Sequence, residues 1–184
     1  MNTVFVGGSL RITRLHPSIC DRIANIIEKR FPILVGDANG ADKAVQTYLH
    51  DQRYEAVEVF CSDQTPRNNV GQWPLRVVRP AESTRDFDYF ATKDRAMASE
   101  ATIGLMLWDG KSRGTLMNVL RLIAQEKLAV VYVSPRQKFA NIRTHSEFAG
   151  LLHELDSAAH HRLLEQATRE GFGRMVEQGF ALIR

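Results

Sequence analysis

Cysteine is scarce: Cys20 and Cys61 are the only two in 184 residues, they lie far apart, and no CxxC pair occurs. A disulfide framework and a cysteine-based metal site are thereby excluded, and the two read as buried thiols in a reducing compartment. Long apolar runs are missing as well. None approaches the roughly 20 residues that a membrane-spanning helix needs. The N-terminus, MNTVFVGGS, has no basic segment leading into an apolar stretch, so no secretory leader is expected and the expected location is cytoplasmic. Charge of one sign is not massed anywhere. The 24 basic and 21 acidic side chains give a net charge of +3 without blocks, which argues against nucleic acid as a partner. Repeats and low-complexity tracts are also absent. With 44% hydrophobic and 24% charged residues, the composition suits one globular domain with a small appendage.

The chain does contain short β-branched apolar runs at 4–6, 33–35, 57–60, 76–78, 103–107 and 130–133. Runs apolar on successive positions suit strands covered on both faces. Between them lie stretches of helical period at 17–30, 41–50, 87–99 and 115–126. The first sets Ile19, Ile23, Ile26 and Ile27 on one stripe, with Pro17 in the first turn. Strand and helix in alternation predict a mainly parallel sheet of five to seven strands with helices on both faces. Residues 62–74 are polar, carry Pro66 and Gly71, and read as one long loop. Beyond Pro135 the character changes, and residues 145–184 have helical composition with no convincing strand.

Ligands of open parallel sheets sit at the carboxyl ends of the strands, and four loops fall there. They hold Gly7, Gly8, Ser9 and Arg11; Gly36, Asp37, Gly40 and Asp42; Arg67 and Asn68; and Asp109, Gly110, Ser112, Arg113, Gly114 and Thr115. Glycines let backbone N–H groups approach an anion, a helix N-terminus adds orphan donors, and arginine matches phosphate geometry. Four such loops on one edge predict a phosphate-bearing ligand. A single glycine-rich turn has the plainer explanation that its backbone needs glycine. Neither GxxxxGK[ST] nor GxGxxG occurs, which sets aside a P-loop nucleotidase and a standard dinucleotide fingerprint. Lys93 is a further candidate for phosphate, and Trp108, Trp73 and Tyr89 are candidates for base stacking. Each is equally a packing or surface residue. His153, His160 and His161 lack the partners of a metal site, so no metal is expected. Nothing in the chain calls for an organic cofactor.

VFVGGS at 4–9, VGDANGAD at 35–42, KDRAM at 93–97 and LWDGKSRGT at 107–115 together resemble the SLOG superfamily, and within it the YpsA-related branch. The resemblance covers about residues 1–135. It implies an α/β, Rossmann-like doubly wound fold over 1–140; it does not explain residues 141–184, which read from their composition as a helical C-terminal extension packed on the core or at a dimer interface. A homo-oligomer is left open. It also implies a nucleotide-derived small molecule as ligand. LOG-type phosphoribohydrolases, to which the chain is distantly similar, cleave the N-glycosidic bond of nucleoside 5′-monophosphates. The alternative is a single-stranded nucleic-acid-binding module of the DNA-processing protein A type. LOG-type enzymes close on PGGxGTxxE with a catalytic glutamate, and the matching position here is Asn118. An amide cannot act as a carboxylate base. Asp37, Asp42 and Asp109 are therefore the candidate acids, with Asp94 and Glu100 nearby in sequence. Asp42 can instead complement a helix dipole, and Asp109 can stabilise its own turn.

Overall fold

A computed structural model describes residues 2–79, 87–153 and 155–181. The expected spans also take in residues 1, 80–86, 154 and 182–184, which lie outside the described residues. Seven strands form one sheet in the order β4-β3-β2-β1-β5-β6-β7. These are β1 (Val4–Gly8), β2 (Ile33–Gly36), β3 (Val57–Cys61), β4 (Leu75–Val77), β5 (Ile103–Trp108), β6 (Leu128–Val133) and β7 (Lys138–Ile142). All neighbours pair parallel except β6 and β7, which pair antiparallel. The fold is α/β and Rossmann-like, doubly wound on a mainly parallel sheet.

Successive strand side chains point to opposite faces, and this alternation builds two cores. Val4, Val6, Val35, Val59 and Leu107 meet the isoleucine stripe of α1 (Pro17–Glu28) and Val45 and Leu49 of α2 (Ala41–Asp51). Phe5, Leu34, Phe60, Met106 and Trp108 face α3 (Phe87–Glu100) and α4 (Arg113–Ile123). The same cluster takes in Phe148, Leu151 and Leu152 of α5 (His145–Leu152), Leu163 and Ala167 of α6 (Ser157–Arg169) and Val176 of α7 (Gly173–Ala181). The C-terminal helices thus pack on α4 and share its core. At the C-terminal end, α4 stops at Ile123 rather than 126, because Glu126 turns to φ 59° and the Lys127 N–H closes on the Leu122 carbonyl.

Two strands depart from expectation. β7 was not foreseen: after a single 3-10 turn at Ser134–Arg136, Gln137 adopts φ 50° and the chain folds back on β6. Its sequence, KFANI, has no β-branched run, as befits an edge strand held by pairing rather than burial. β4 is the opposite edge, and it is not covered on both faces: Leu75 and Val77 are 42% and 39% exposed. Among the described residues no helix is long and apolar enough to cross a membrane.

Candidate functional site

The sheet order reverses between β1 and β5, because the chain runs outward one way from β1 and the other way from β5. At that point the loops leaving the two strands part and leave a crevice. A cavity of about 380 Å³ lies there. Its wall includes Gly7 and Gly8 from β1, Arg67 from the β3–β4 loop, and Ser112, Gly114 and Thr115 at the start of α4, while Asp42, Lys93, Asp94 and Asn118 form its polar floor. Leu10, 64% exposed, supplies an apolar lip. A larger, shallower groove of about 540 Å³ runs along α2 past Arg14, Asn39, Lys43 and Tyr48. Its charged side chains, Arg14, Lys43 and Asp51, are all exposed, so it has no built polar floor.

The floor is a buried charge cluster. Lys93 is 4% exposed, with its Nζ 3.0 Å from Asp94 Oδ1 and 3.9 Å from both Asp37 Oδ1 and Asp42 Oδ2. Burial alone drives an ammonium down, yet the three carboxylates outweigh it and hold Lys93 above its ordinary value. Gly36 makes this possible, since a Cβ there would run into the Asp42 carboxylate and the Lys93 ammonium. Lys93 fills the place between the carboxylates that a cation would take. Among the described residues no group of three or more His, Cys, Asp or Glu side chains is arranged to hold a metal.

The carboxylates of the cluster differ sharply. Burial pushes the Asp42 carboxyl up to about 6, against the pull of Lys93 and the Ala38 N–H that donates to its Oδ2 at 3.1 Å. Burial also pushes Asp94 up, but Lys93, Arg121 and the Asn118 amide outweigh it and leave it below the ordinary carboxylate value. Asp37 is 3% exposed and wholly engaged. Arg67 donates from Nη2 to Oδ1 at 2.7 Å, and from Nε and its backbone N–H to Oδ2 at 3.1 and 3.0 Å. These bonds overcome the burial that would raise its pKa and hold it below its ordinary value. Asp37 therefore anchors the long loop, and it does not line the cleft. Asn68 does the same work, donating to the Asp37 carbonyl at 2.8 Å and to Asn39 Oδ1 at 3.1 Å.

Asp109 is a turn residue. Its Oδ1 accepts the N–H groups of Lys111 and Ser112 at 3.0 and 2.8 Å, and its side chain does not line the cleft. Gly110 at φ 82° completes that turn, and a Cβ there would press on Pro135 at 2.9 Å. Trp108, fully buried, donates from Nε1 to the Ser112 carbonyl at 3.1 Å and braces the loop from inside. Trp73 donates to the Tyr54 carbonyl and Tyr89 to Asp63, and neither reaches the cleft. Ser112 caps α4, its Oγ accepting from Thr115 N–H at 3.3 Å and Thr115 Oγ1 at 3.0 Å. No hydrogen bond to the Arg113 or Gly114 N–H occurs among the described residues, and nothing lies within 4 Å of where a Gly114 Cβ would be.

The remaining expected residues lie around this centre. Ser9 is 2% exposed; its carbonyl accepts from Ala41 N–H at 3.0 Å and its Oγ from Arg11 N–H at 3.1 Å, which locks the first loop onto α2. Gly40, at φ 77°, is packed against the Leu10 backbone, so its glycine serves that contact. Arg11 is exposed and off the cleft wall, as is the half-buried Arg113. His160 bonds the Leu152 carbonyl at 2.7 Å and His161 is a solvent-facing partner of Glu165. Sequence reasoning undervalued Asp94 and passed over Arg121, which is 3% exposed behind Asn118. The available signal was one ionisable residue beside Lys93 in KDRAM and a lone arginine in the apolar stretch LMNVLRLI. Against known proteins, the chain matches no family model, no curated protein and no solved structure.

Proposed function

We propose that the protein binds a nucleotide-derived small molecule in the cleft between β1 and β5. The observation that carries this reading is the pairing of two unlike ends in one cavity. One end is the first turn of α4, where Gly114 leaves open space beside unpaired N–H groups, suited to a phosphate. The other is the floor of Asp42 and Asp94, whose oxygens suit ribose hydroxyls and the N–H groups of a base. The sequence resemblance to nucleotide-binding SLOG proteins points the same way.

Hydrolysis of the N-glycosidic bond of a nucleoside 5′-monophosphate is the activity this floor favours. Two carboxylates whose environments push their pKa values apart are the usual arrangement of an acid and an anion. Asp94 is the anion that stabilises positive charge at the anomeric carbon, and Asp42 the acid that protonates the departing base. The roles fall to these two rather than to Asp37 or Asp109, which are committed to Arg67 and to a turn.

Gly114→Asp tests the binding reading. An aspartate in the first turn of a helix favours the helix, so the variant should keep its melting temperature. It places a negative charge where the phosphate belongs, and affinity for the best nucleotide of a calorimetric panel should fall by about 1–3 kcal/mol. Unchanged affinity in the folded variant would sink the phosphate site. Affinity that drops steeply with salt and needs a strand rather than a mononucleotide would point to nucleic acid instead. Release of free base, lost in Asp94→Asn with binding retained, tests the hydrolysis.

A further inference from the structure

The floor of the cleft continues inward as a chain of directed hydrogen bonds that ends in the C-terminal extension. Glu170, the residue capping α6, is half-buried as a whole, but its side chain is only 8% exposed. It receives a two-pronged contact from Arg121, Nε to Oε2 at 2.9 Å and Nη2 to Oε1 at 2.5 Å. The third arm of that guanidinium, Nη1, donates to Asn118 Oδ1. Asn118 in turn donates from Nδ2 to Asp94 Oδ2 at 3.1 Å, and Asp94 lines the cleft. Arg95 adds a longer contact from Nε to Glu170 Oε2 at 3.4 Å.

Each link has one possible direction. A guanidinium only donates and an ionised carboxylate only accepts, so the amide between them must turn its oxygen to Arg121 and its nitrogen to Asp94. Arg121 is buried and needs a counter-ion, and two carboxylates compete for it. Glu170 holds it at 2.5 Å, whereas Asp94 Oδ2 stands 3.9 Å from Nη1. Neutralising Glu170 would leave Asp94 as the nearest anion for Arg121, and a direct pair would displace the Asn118 amide. The other charges facing Asp94 come from elsewhere: Lys93 on its own helix, Asp42 on α2, and Arg67 from the β3–β4 loop, with Asp37 behind Lys93. None of them reaches Asn118.

We infer that Glu170 is a positioning residue for the cleft: through Arg121 and Asn118 it fixes the Asp94 carboxylate toward whatever ligand the cavity holds, so the C-terminal extension completes the site. This goes beyond the nucleotide reading and does not depend on it, since the relay is made by the chain's own side chains.

The test is nuclear magnetic resonance of the ligand-free, full-length chain, reading the side-chain amide of Asn118, whose signals are assigned by their disappearance in Asn118→Ser. One amide proton should lie downfield and exchange slowly with water. Asp94→Asn should abolish that signature, which identifies its partner. Glu170→Gln should abolish it too, with exchange at least about tenfold faster, a factor equivalent to about 1.4 kcal/mol. Should Glu170→Gln fail to fold, Arg121→Lys replaces it. Lysine keeps the pair with Glu170 but lacks the fork that also reaches Asn118, so the signature should again be lost. A folded Glu170→Gln, or a folded Arg121→Lys, with the Asn118 signature unchanged would overturn the relay and reduce Glu170 to a stabilising ion pair.

Discussion

At Asp42 burial carries a single residue well away from its behaviour in water. Its carboxyl titrates near 6 in the folded chain against 3.8 when free, because burial outweighs Lys93. A folded-state pKa raised in this way means the native protein binds a proton more tightly than the unfolded chain. The contribution to stability is therefore favourable at low pH and is lost as pH rises through the interval between 3.8 and about 6. Asp42→Asn removes that dependence. Relative to the wild type, the variant should gain about 2 kcal/mol of unfolding free energy between pH 4 and pH 7. Urea unfolding at several pH values measures the difference, and a difference constant with pH would show that Asp42 does not titrate in this window.

At the scale of the element, the loop from Asp109 to Thr115 builds the α4 wall through its own bonds. Asp109 caps two N–H groups, Ser112 caps the helix, and Trp108 ties the Ser112 carbonyl to the core. Asp109→Asn keeps an acceptor oxygen and should leave both stability and binding nearly unchanged. Asp109→Ala removes it and should cost about 1 kcal/mol of stability, with weaker nucleotide binding as the loop loosens. Thermal melts and calorimetry on the pair decide the matter. A large loss of base release in Asp109→Asn, with binding intact, would restore it as a catalytic acid.

For the whole molecule, the helices after β7 share one apolar cluster with α3 and α4, and Glu170 neutralises a buried arginine. A chain ending at Ile142 would expose that cluster to water and remove Glu170, the nearer of the two carboxylates at Arg121. The apolar burial lost with the three helices is large against the marginal stability of an ordinary domain. The truncated chain should bind a hydrophobic dye and unfold without a cooperative transition. A sharp transition for residues 1–142 would show that the extension is an independent unit.

The sequence by itself determined the layered architecture. Short β-branched runs and amphipathic stripes such as Ile19, Ile23 and Ile26 are local periodicities, and burial of one stripe against one sheet face leaves little choice of class. It also placed the glycine-rich loops at one sheet edge, since parallel strands share an orientation. Only the tertiary structure decided what each loop residue does. Asp37, Asp42 and Asp109 are alike as letters, yet one is held by Arg67, one is buried beside Lys93, and one caps a turn. Glu170 and Asp94 are far apart in sequence and meet through two α4 side chains, a link that no periodicity encodes. Strand β7 escaped notice for the same reason: an edge strand is specified by the partner it pairs with, and KFANI alone carries little of that. Periodicity reports which face of an element is buried. The charge state and direction of a polar group depend on neighbours brought in from elsewhere in the chain, and those are fixed only when the chain has folded.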